Sequence, residues 1–370
     1  MSKDAQYART AGGNPETSPN GQKSKWQKKR AKEKLILIVA GGAVGIILLY
    51  FYSLTQGVYP ISFTDALGDI WQIITNLGPN EDNMAEGTIW FLRTPRSIAV
   101  LCVGAGLATA GAVMQALIRN PLVDPYIIGV STGASFMVVL VTVGGFAGGL
   151  LGTISVPFAA IIGAGVAFSI TIFVAELAGG KAMSYVLAGV ITSTGFSAGI
   201  TLIAHFNADS YKYAMHWLFG SFTDIPWSST VVIILGAVLP IIIVLFFAKK
   251  LNIMLLGEEQ AKYLGVDTAR LKRMLTVLVA VMTAFCVAYC GPIGFIGLII
   301  PHICRMIIGG DHRLLIPSSA IMGALVLLFA DVFCKTAAPP GELPIGAIVA
   351  VIGVPFFLFL LMKGGKRYAM

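Results

Sequence analysis

Charge is scarce in this chain: Asp, Glu, Lys and Arg make up only 12% of its 370 residues, about half the share usual in soluble domains. Between Lys34 and Arg93 there is no basic residue at all. Histidine is nearly as rare, and none of the four forms an HExxH or HxxxH pair, which leaves no signature of a metallohydrolase. No GxxxxGK[ST] loop occurs, so this chain cannot cradle the phosphates of ATP in a Walker-type loop; Leu177-Ala-Gly-Gly-Lys181 reads only as a turn. The five cysteines are scattered at 102, 286, 290, 304 and 334. Cys286 and Cys290 share a helix face, but no histidine or carboxylate stands at matching spacing, so they read as small packing residues rather than a soft-metal site. The centres of the apolar runs are almost free of ionisable groups, which argues against a proton or sodium relay. If the chain pumps, its energy must come from another chain.

What fills the sequence is apolar: 56% of residues are hydrophobic and the mean hydropathy is +0.82. Runs of spanning length occur at 35–54, 97–118, 126–146, 153–176, 183–205, 229–248, 274–290, 293–308, 314–334 and 344–362. The expected fold class is an all-α polytopic membrane protein of about ten spans. Residues 1–34 form a basic, turn-rich tail expected to be disordered, and 364–370 a short C-terminal tail; the membrane domain is 35–363. The first run has no clear cleavage site after it, so a retained span is favoured over a signal peptide. Ten spans put both ends on one side. With that side cytoplasmic, 22 of 26 basic residues lie inside, leaving Arg93, Arg96, Lys212 and Lys335 outside. The net charge of +8 thus reports membrane topology and contact with anionic lipid, and needs no nucleic-acid partner.

Three segments depart from plain spans. Gly291-Pro-Ile-Gly-Phe-Ile-Gly-Leu-Ile-Ile-Pro-His302 packs three glycines and two prolines into twelve residues; broken backbone at membrane depth suggests a pathway rather than an anchor. In the polar segment 251–265, Gly257 and Gly265 bracket a short helix. Ala261 and Leu264 can share one of its faces, with Glu258, Glu259 and Lys262 on a rim, and the acidic start favours docking to a partner over lying on lipid. In the fifth run, Thr192, Ser193, Thr194 and Ser197 stand beside Gly189, Gly195 and Gly199. They fit either a polar path or small-residue helix packing.

Several ordered blocks resemble the FecCD-type permease subunits of type II ATP-binding-cassette (ABC) importers, the family that carries iron–siderophore, haem and cobalamin. They are Arg93-Thr-Pro-Arg96; Gly111-Ala-Val-Met-Gln-Ala-Leu-Ile-Arg-Asn-Pro-Leu-Val-Asp-Pro125 with Gly129-Val-Ser-Thr-Gly-Ala134; Trp217-Leu-Phe-Gly-Ser-Phe222; Gly257-Glu-Glu-Gln-Ala-Lys-Tyr-Leu-Gly265; the Gly291–His302 segment; and Glu342-Leu-Pro-Ile-Gly346. The similarity spans roughly 35–365 and leaves the basic tail outside it. It implies a homodimer in the cell membrane, two cytoplasmic ATPase subunits that bind the ATP, an extracytoplasmic substrate-binding protein, and no cofactor, metal or catalytic residue in this chain. By the same resemblance, Gly257, Glu258, Glu259, Gln260, Ala261, Leu264 and Gly265 couple to the ATPase. Arg93, Arg96 and Lys335 meet acidic residues of the binding protein. The fifth and tenth spans border the path, with Met183 and Ser184 at its inner gate and Thr192, Ser193 and Ser197 along it, although Lys181-Ala-Met-Ser184 departs from the polar pattern of better-known members. Iron–siderophore is the first expectation for cargo, then cobalamin or haem. A self-contained channel or secondary transporter is the reading of another class.

Overall fold

In the computed structural model the backbone is described over residues 19–80, 82–145, 149–339 and 341–368. Within those residues the chain is helical, because a lipid-embedded segment outside a barrel satisfies its backbone only by internal helical bonds. The order is α1 (Pro19–Thr55), α2 (Phe63–Thr75), α3 (Met84–Thr88), a π-turn (Ile89–Arg93), α4 (Thr94–Ile118), a 3-10 turn (Pro125–Ile128), α5 (Val130–Val143), α6 (Gly149–Leu177), α7 (Ala182–Phe206) and α8 (Ala208–Leu218). There follow α9 (Trp227–Met254), α10 (Glu258–Tyr263), α11 (Thr268–Cys290), α12 (Ile296–Ile308), α13 (His312–Ala337) and α14 (Ile345–Tyr368). Among the described residues seven helices are long and apolar enough to cross a membrane, and α5, α12 and the apolar part of α14 are shorter apolar helices. Each of the ten expected runs falls on one of these.

The basic tail differs from expectation. α1 starts at Pro19, so residues 19–34 continue the first span as helix, while 1–18 lie outside the described residues. Likewise α14 carries the C-terminal segment on to Tyr368. The Lys34 ammonium donates to the Ile307 carbonyl at 2.8 Å, fastening α1 to the end of α12.

α4 is the hub of the bundle, packed against α13, α9, α12 and α11. Gly104 and Gly111 permit this. A Cβ at either position would collide with the carbonyl of Gly323 on α13 or of Gly297 on α12, so the helices touch backbone to backbone. α5, α6 and α7 form a second group that α11 joins to the hub. α7 and α14 sit at the margin, each with a long face open to the outside.

The broken segment is braced by neighbouring parts of the chain. α11 stops where Gly291 adopts a φ of 72°, and Phe295 enters α12 from a left-handed conformation. The Cys290 carbonyl accepts from the Ser221 N–H at 2.9 Å, and the backbone of Ile293, a buried residue, is served by Tyr126. Protein thus re-satisfies these backbone groups at the break.

Candidate functional site

At one end of the bundle lies an ion cluster. Arg96 donates from Nε and Nη2 to Asp331 Oδ1 at 3.1 and 2.8 Å, and from Nη1 and Nη2 to the two oxygens of Glu342 at 2.9 and 2.8 Å. Lys335 pairs with Asp331 Oδ2 at 2.8 Å and donates to Ser53 Oγ at 3.2 Å. Ser53 in turn meets Ser97 at 3.1 Å, and the Thr223 hydroxyl donates to Glu342 Oε2 at 3.3 Å. Arg93 is 7% exposed and donates to the carbonyls of Leu54 and Tyr59. Arg93 and Arg96 are thus held by partners within the chain rather than left as free cations at the outer end. Arg93, the last residue of the π-turn, reaches the end of α1, and Arg96, in the first turn of α4, reaches α13. Asp331 is almost wholly buried, and a buried carboxylate requires such cations around it.

The opposite end carries α10. Gly257, at a φ of 113°, turns the chain out of α9, and Gly265, at 80°, turns it toward α11. Asp267 caps α11 by accepting from the Arg270 N–H at 3.0 Å. Ala261 is 0% exposed and belongs to the core that holds Leu251, Met254 and Val266, whereas Tyr263 is 91% and Leu264 59% exposed. Glu259 and Gln260 also face out, as do Leu255 and Leu256 of the preceding turn. Ala261 is thus an anchor of α10 and not part of a docking face, contrary to the sequence reading. Leu264 caps the helix outside its last turn, so the two do not share a face.

Behind α10, Lys272 on α11 donates to the Gly180 carbonyl at 3.0 Å, lies 3.5 Å from Glu258 Oε1, and sits 5.1 Å from the centre of the Tyr185 ring. The Tyr185 hydroxyl donates to Glu176 Oε1 at 2.6 Å. Nearby, Asp311 caps α13 and accepts from Asn252 Nδ2 at 2.6 Å and from Arg313 Nη2 at 2.6 Å. The Arg313 hydrogen bonds hold its carboxyl down at about 2.

Along α7, Met183 and Ser197 are exposed and Ser193 is half-buried. Ser184 is half-buried too, its hydroxyl donating to the Ala178 carbonyl at 2.8 Å. Thr192 turns inward against Gly129 and beside Thr171, so it leaves the open face on which it was expected. Thr194 and Thr201 return their hydroxyls to the helix, to Val190 and Ser197 carbonyls at 2.9 and 3.0 Å. Among the described residues no cluster of three or more His, Cys, Asp or Glu could hold a metal ion.

A model of the FecCD transport family matches residues 45–363. The chain belongs to the FecCD transport family. Its relatives include the iron(3+)-hydroxamate import system permease protein FhuG of Bacillus subtilis, 33% identical over 90% of this chain and 99% of that one. The hemin transport system permease protein HmuU of Yersinia pestis is 36% identical over 86% of this chain and 93% of its own. The vitamin B12 import system permease protein BtuC of Salmonella paratyphi A is 38% identical over 75% and 84%. A solved structure described as an inward-facing conformation of a metal-chelate type ABC transporter superposes with a TM-score of 0.76 at 32% identity, covering 88% of this chain and 99% of that one. As a member of the FecCD family the chain is a multi-pass ABC transporter permease.

Sequence reasoning missed Glu342 as a partner of Arg96 and Glu176 as a partner of Tyr185, and missed Tyr126, Lys272 and Tyr185 altogether. Glu342 opens the Glu342–Gly346 block, but its pairing spans 246 positions, and no local spacing carries that signal.

Proposed function

We propose that this FecCD permease forms the membrane core of a type II ABC importer that brings a metal chelate into the cytoplasm by alternating access. Two copies meet around the path, two separate ATPase subunits bind at the α10 end, and an extracytoplasmic binding protein delivers cargo at the end that holds Arg96. Both termini and α10 are cytoplasmic, in the cell membrane, as the distribution of basic residues favours. The observation that carries the reading is the α10 end: a short helix rooted by buried Ala261 presents exposed Leu255, Leu256, Tyr263 and Leu264 beside Glu259 and Gln260, in a chain without a phosphate-binding loop of its own. That surface suits a groove on a partner ATPase. Ser193 and Ser197 on the open side of α7, with Met183 at its inner end, border the path together with α14. Because Arg96 already holds Glu342, docking requires an incoming carboxylate to displace Glu342 rather than to meet a free cation.

The cargo reading is an iron–siderophore complex, with cobalamin and haem as the alternatives, since relatives named for each match at comparable identity. The test is uptake into proteoliposomes holding the permease with its ATPase and binding protein, comparing a ferric hydroxamate, cobalamin and haem. ATP-dependent uptake of one chelate, absent when the ATPase is left out, is the expected result. Uptake that continues without the ATPase would instead mean a self-contained channel or secondary transporter.

A further inference from the structure

We propose that Lys272 is the positioning residue that carries movement of α10 to the inner end of α7, an inference that rests on the importer reading above. A lysine with only a packing role buries its stem and leaves the ammonium in water. Here the ammonium is inside, with the residue 8% exposed, and it faces a different element with each contact. It donates to the Gly180 carbonyl in the α6–α7 turn at 3.0 Å, pairs at 3.5 Å with Glu258, the first residue of α10, and lies over the ring of Tyr185 in the first turn of α7.

The contacts differ in how firmly they hold. Gly179 and Gly180 adopt φ values of 93° and 63°, so the turn has a shape that places the Gly180 carbonyl against α11. Tyr185 is buried and locked to Glu176 at the end of α6 by its 2.6 Å hydrogen bond. Glu258 is the loose member, its oxygen 3.5 Å away against 3.0 Å for Gly180 and its side chain 40% exposed. It opens a six-residue helix whose far end carries exposed Tyr263 and Leu264. A partner that grips that end and tilts α10 moves Glu258 first. The ammonium then has two arrangements, one shared between Glu258 and the α6–α7 turn, the other held by the turn and Tyr185 alone. Coupling requires an element of this kind, with two discrete arrangements that both sites bias. Met183, at the start of α7, lies two residues before Tyr185, so the change arrives at the end of the helix that faces outward.

The experiment compares unsubstituted permease, K272M, K272R, K272E and the exchanged pair K272E/E258K, each in its complex with the ATPase in proteoliposomes. Two quantities are read: ferric hydroxamate moved per ATP hydrolysed, and labelling of an M183C cysteine by a water-soluble thiol reagent with and without ATP. In K272M the ratio is expected to fall about tenfold and the labelling to lose its dependence on ATP, while the ATPase still co-purifies. K272R is expected to recover most of both, and K272E/E258K more than K272E alone. A wild-type ratio with wild-type labelling in K272M overturns the proposal, as does loss of ATPase binding in K272M, which would make Lys272 part of the docking surface. Where K272M does not insert, E258Q and Y185F take its place, and unchanged labelling in both overturns the proposal equally. If the unsubstituted complex moves no chelate while M183C labelling follows ATP only when Lys272 is present, the importer reading fails and the role of Lys272 stands.

Discussion

The Tyr126 hydroxyl serves both backbone groups of Ile293, donating to its carbonyl at 3.0 Å and accepting from its N–H at 3.1 Å. The pairing stands between the 3-10 turn before α5 and the break before α12, 167 positions on in sequence. Tyr126→Phe keeps the ring and orphans a donor and an acceptor at Ile293, which is 1% exposed. The expected cost is about 1–3 kcal/mol, read as a lower midpoint of thermal unfolding in detergent. An unchanged midpoint would mean that another group satisfies Ile293.

Arg96 and Glu342 allow a graded test of the ion cluster. Asp331 is nearly fully buried, whereas Glu342 is 36% exposed. Arg96→Met leaves Asp331 with Lys335 alone, and breaking a buried pair costs about 3–5 kcal/mol when no partner remains. The loss should fall toward the lower part of that range. Glu342→Gln should cost no more than about 1 kcal/mol. Equal losses for the two would contradict the burial difference.

Asp311 provides a pH prediction. Its carboxyl is depressed from the usual 3.8 to about 2, first by the Arg313 hydrogen bond and further by Asn252, against partial burial. A depressed carboxylate stabilises the fold above its unfolded value, and that contribution is lost as pH falls through the folded one. Stability should therefore decline between about pH 4 and pH 2, and Asp311→Asn should be less stable near neutrality yet flatter across that window. Parallel unfolding curves for both proteins over this range would count against the assignment.

The spans were legible because uninterrupted apolar stretches of bilayer length admit few other solutions. What escaped depended on rotation about helix axes and on distant partners. Arg93 and Arg96 are three apart, but nothing in that spacing shows that Arg93 is taken up by the carbonyls of Leu54 and Tyr59 and Arg96 by Asp331 and Glu342. The three consecutive hydroxyls Thr192, Ser193 and Thr194 sweep about 200° of a helix, so they could not all face one path, and Thr192 is the one turned inward. The tail shows a different failure. Pro19-Asn-Gly21 reads as a turn, yet Pro favours the first turn of a helix, and the Gln, Lys, Arg, Ala and Glu residues that follow are good helix formers.

At α10 the substitutions separate folding from coupling. Ala261 lies in the core, so Ala261→Glu should lower the unfolding midpoint of the permease by itself, before any ATPase is added. Leu264→Ala removes exposed surface only, should leave that midpoint within about 0.5 kcal/mol of wild type, and should weaken co-purification of the ATPase. If Leu264→Ala and Tyr263→Ala together leave ATPase binding intact, α10 is not its seat.

The last prediction concerns α7, whose open face is the proposed border of the path. In a background with Cys102, Cys286, Cys290, Cys304 and Cys334 replaced, single cysteines at Met183, Ser193, Ser197 and Thr192 distinguish path, lipid and core. Lipid cannot supply the water that a charged thiol reagent needs, so exposure on the isolated chain is not by itself sufficient for reaction. Met183 and Ser197 are open and should react in the assembled transporter, with rates that change when ATP is added. Ser193 is half-buried and should react more slowly. Thr192 is 7% exposed, pressed toward Gly129, and should stay unlabelled in every nucleotide state. Silence at Ser197 with reaction at Thr192 would reverse the face of α7 that borders the path, and silence at all four would turn the open face toward lipid.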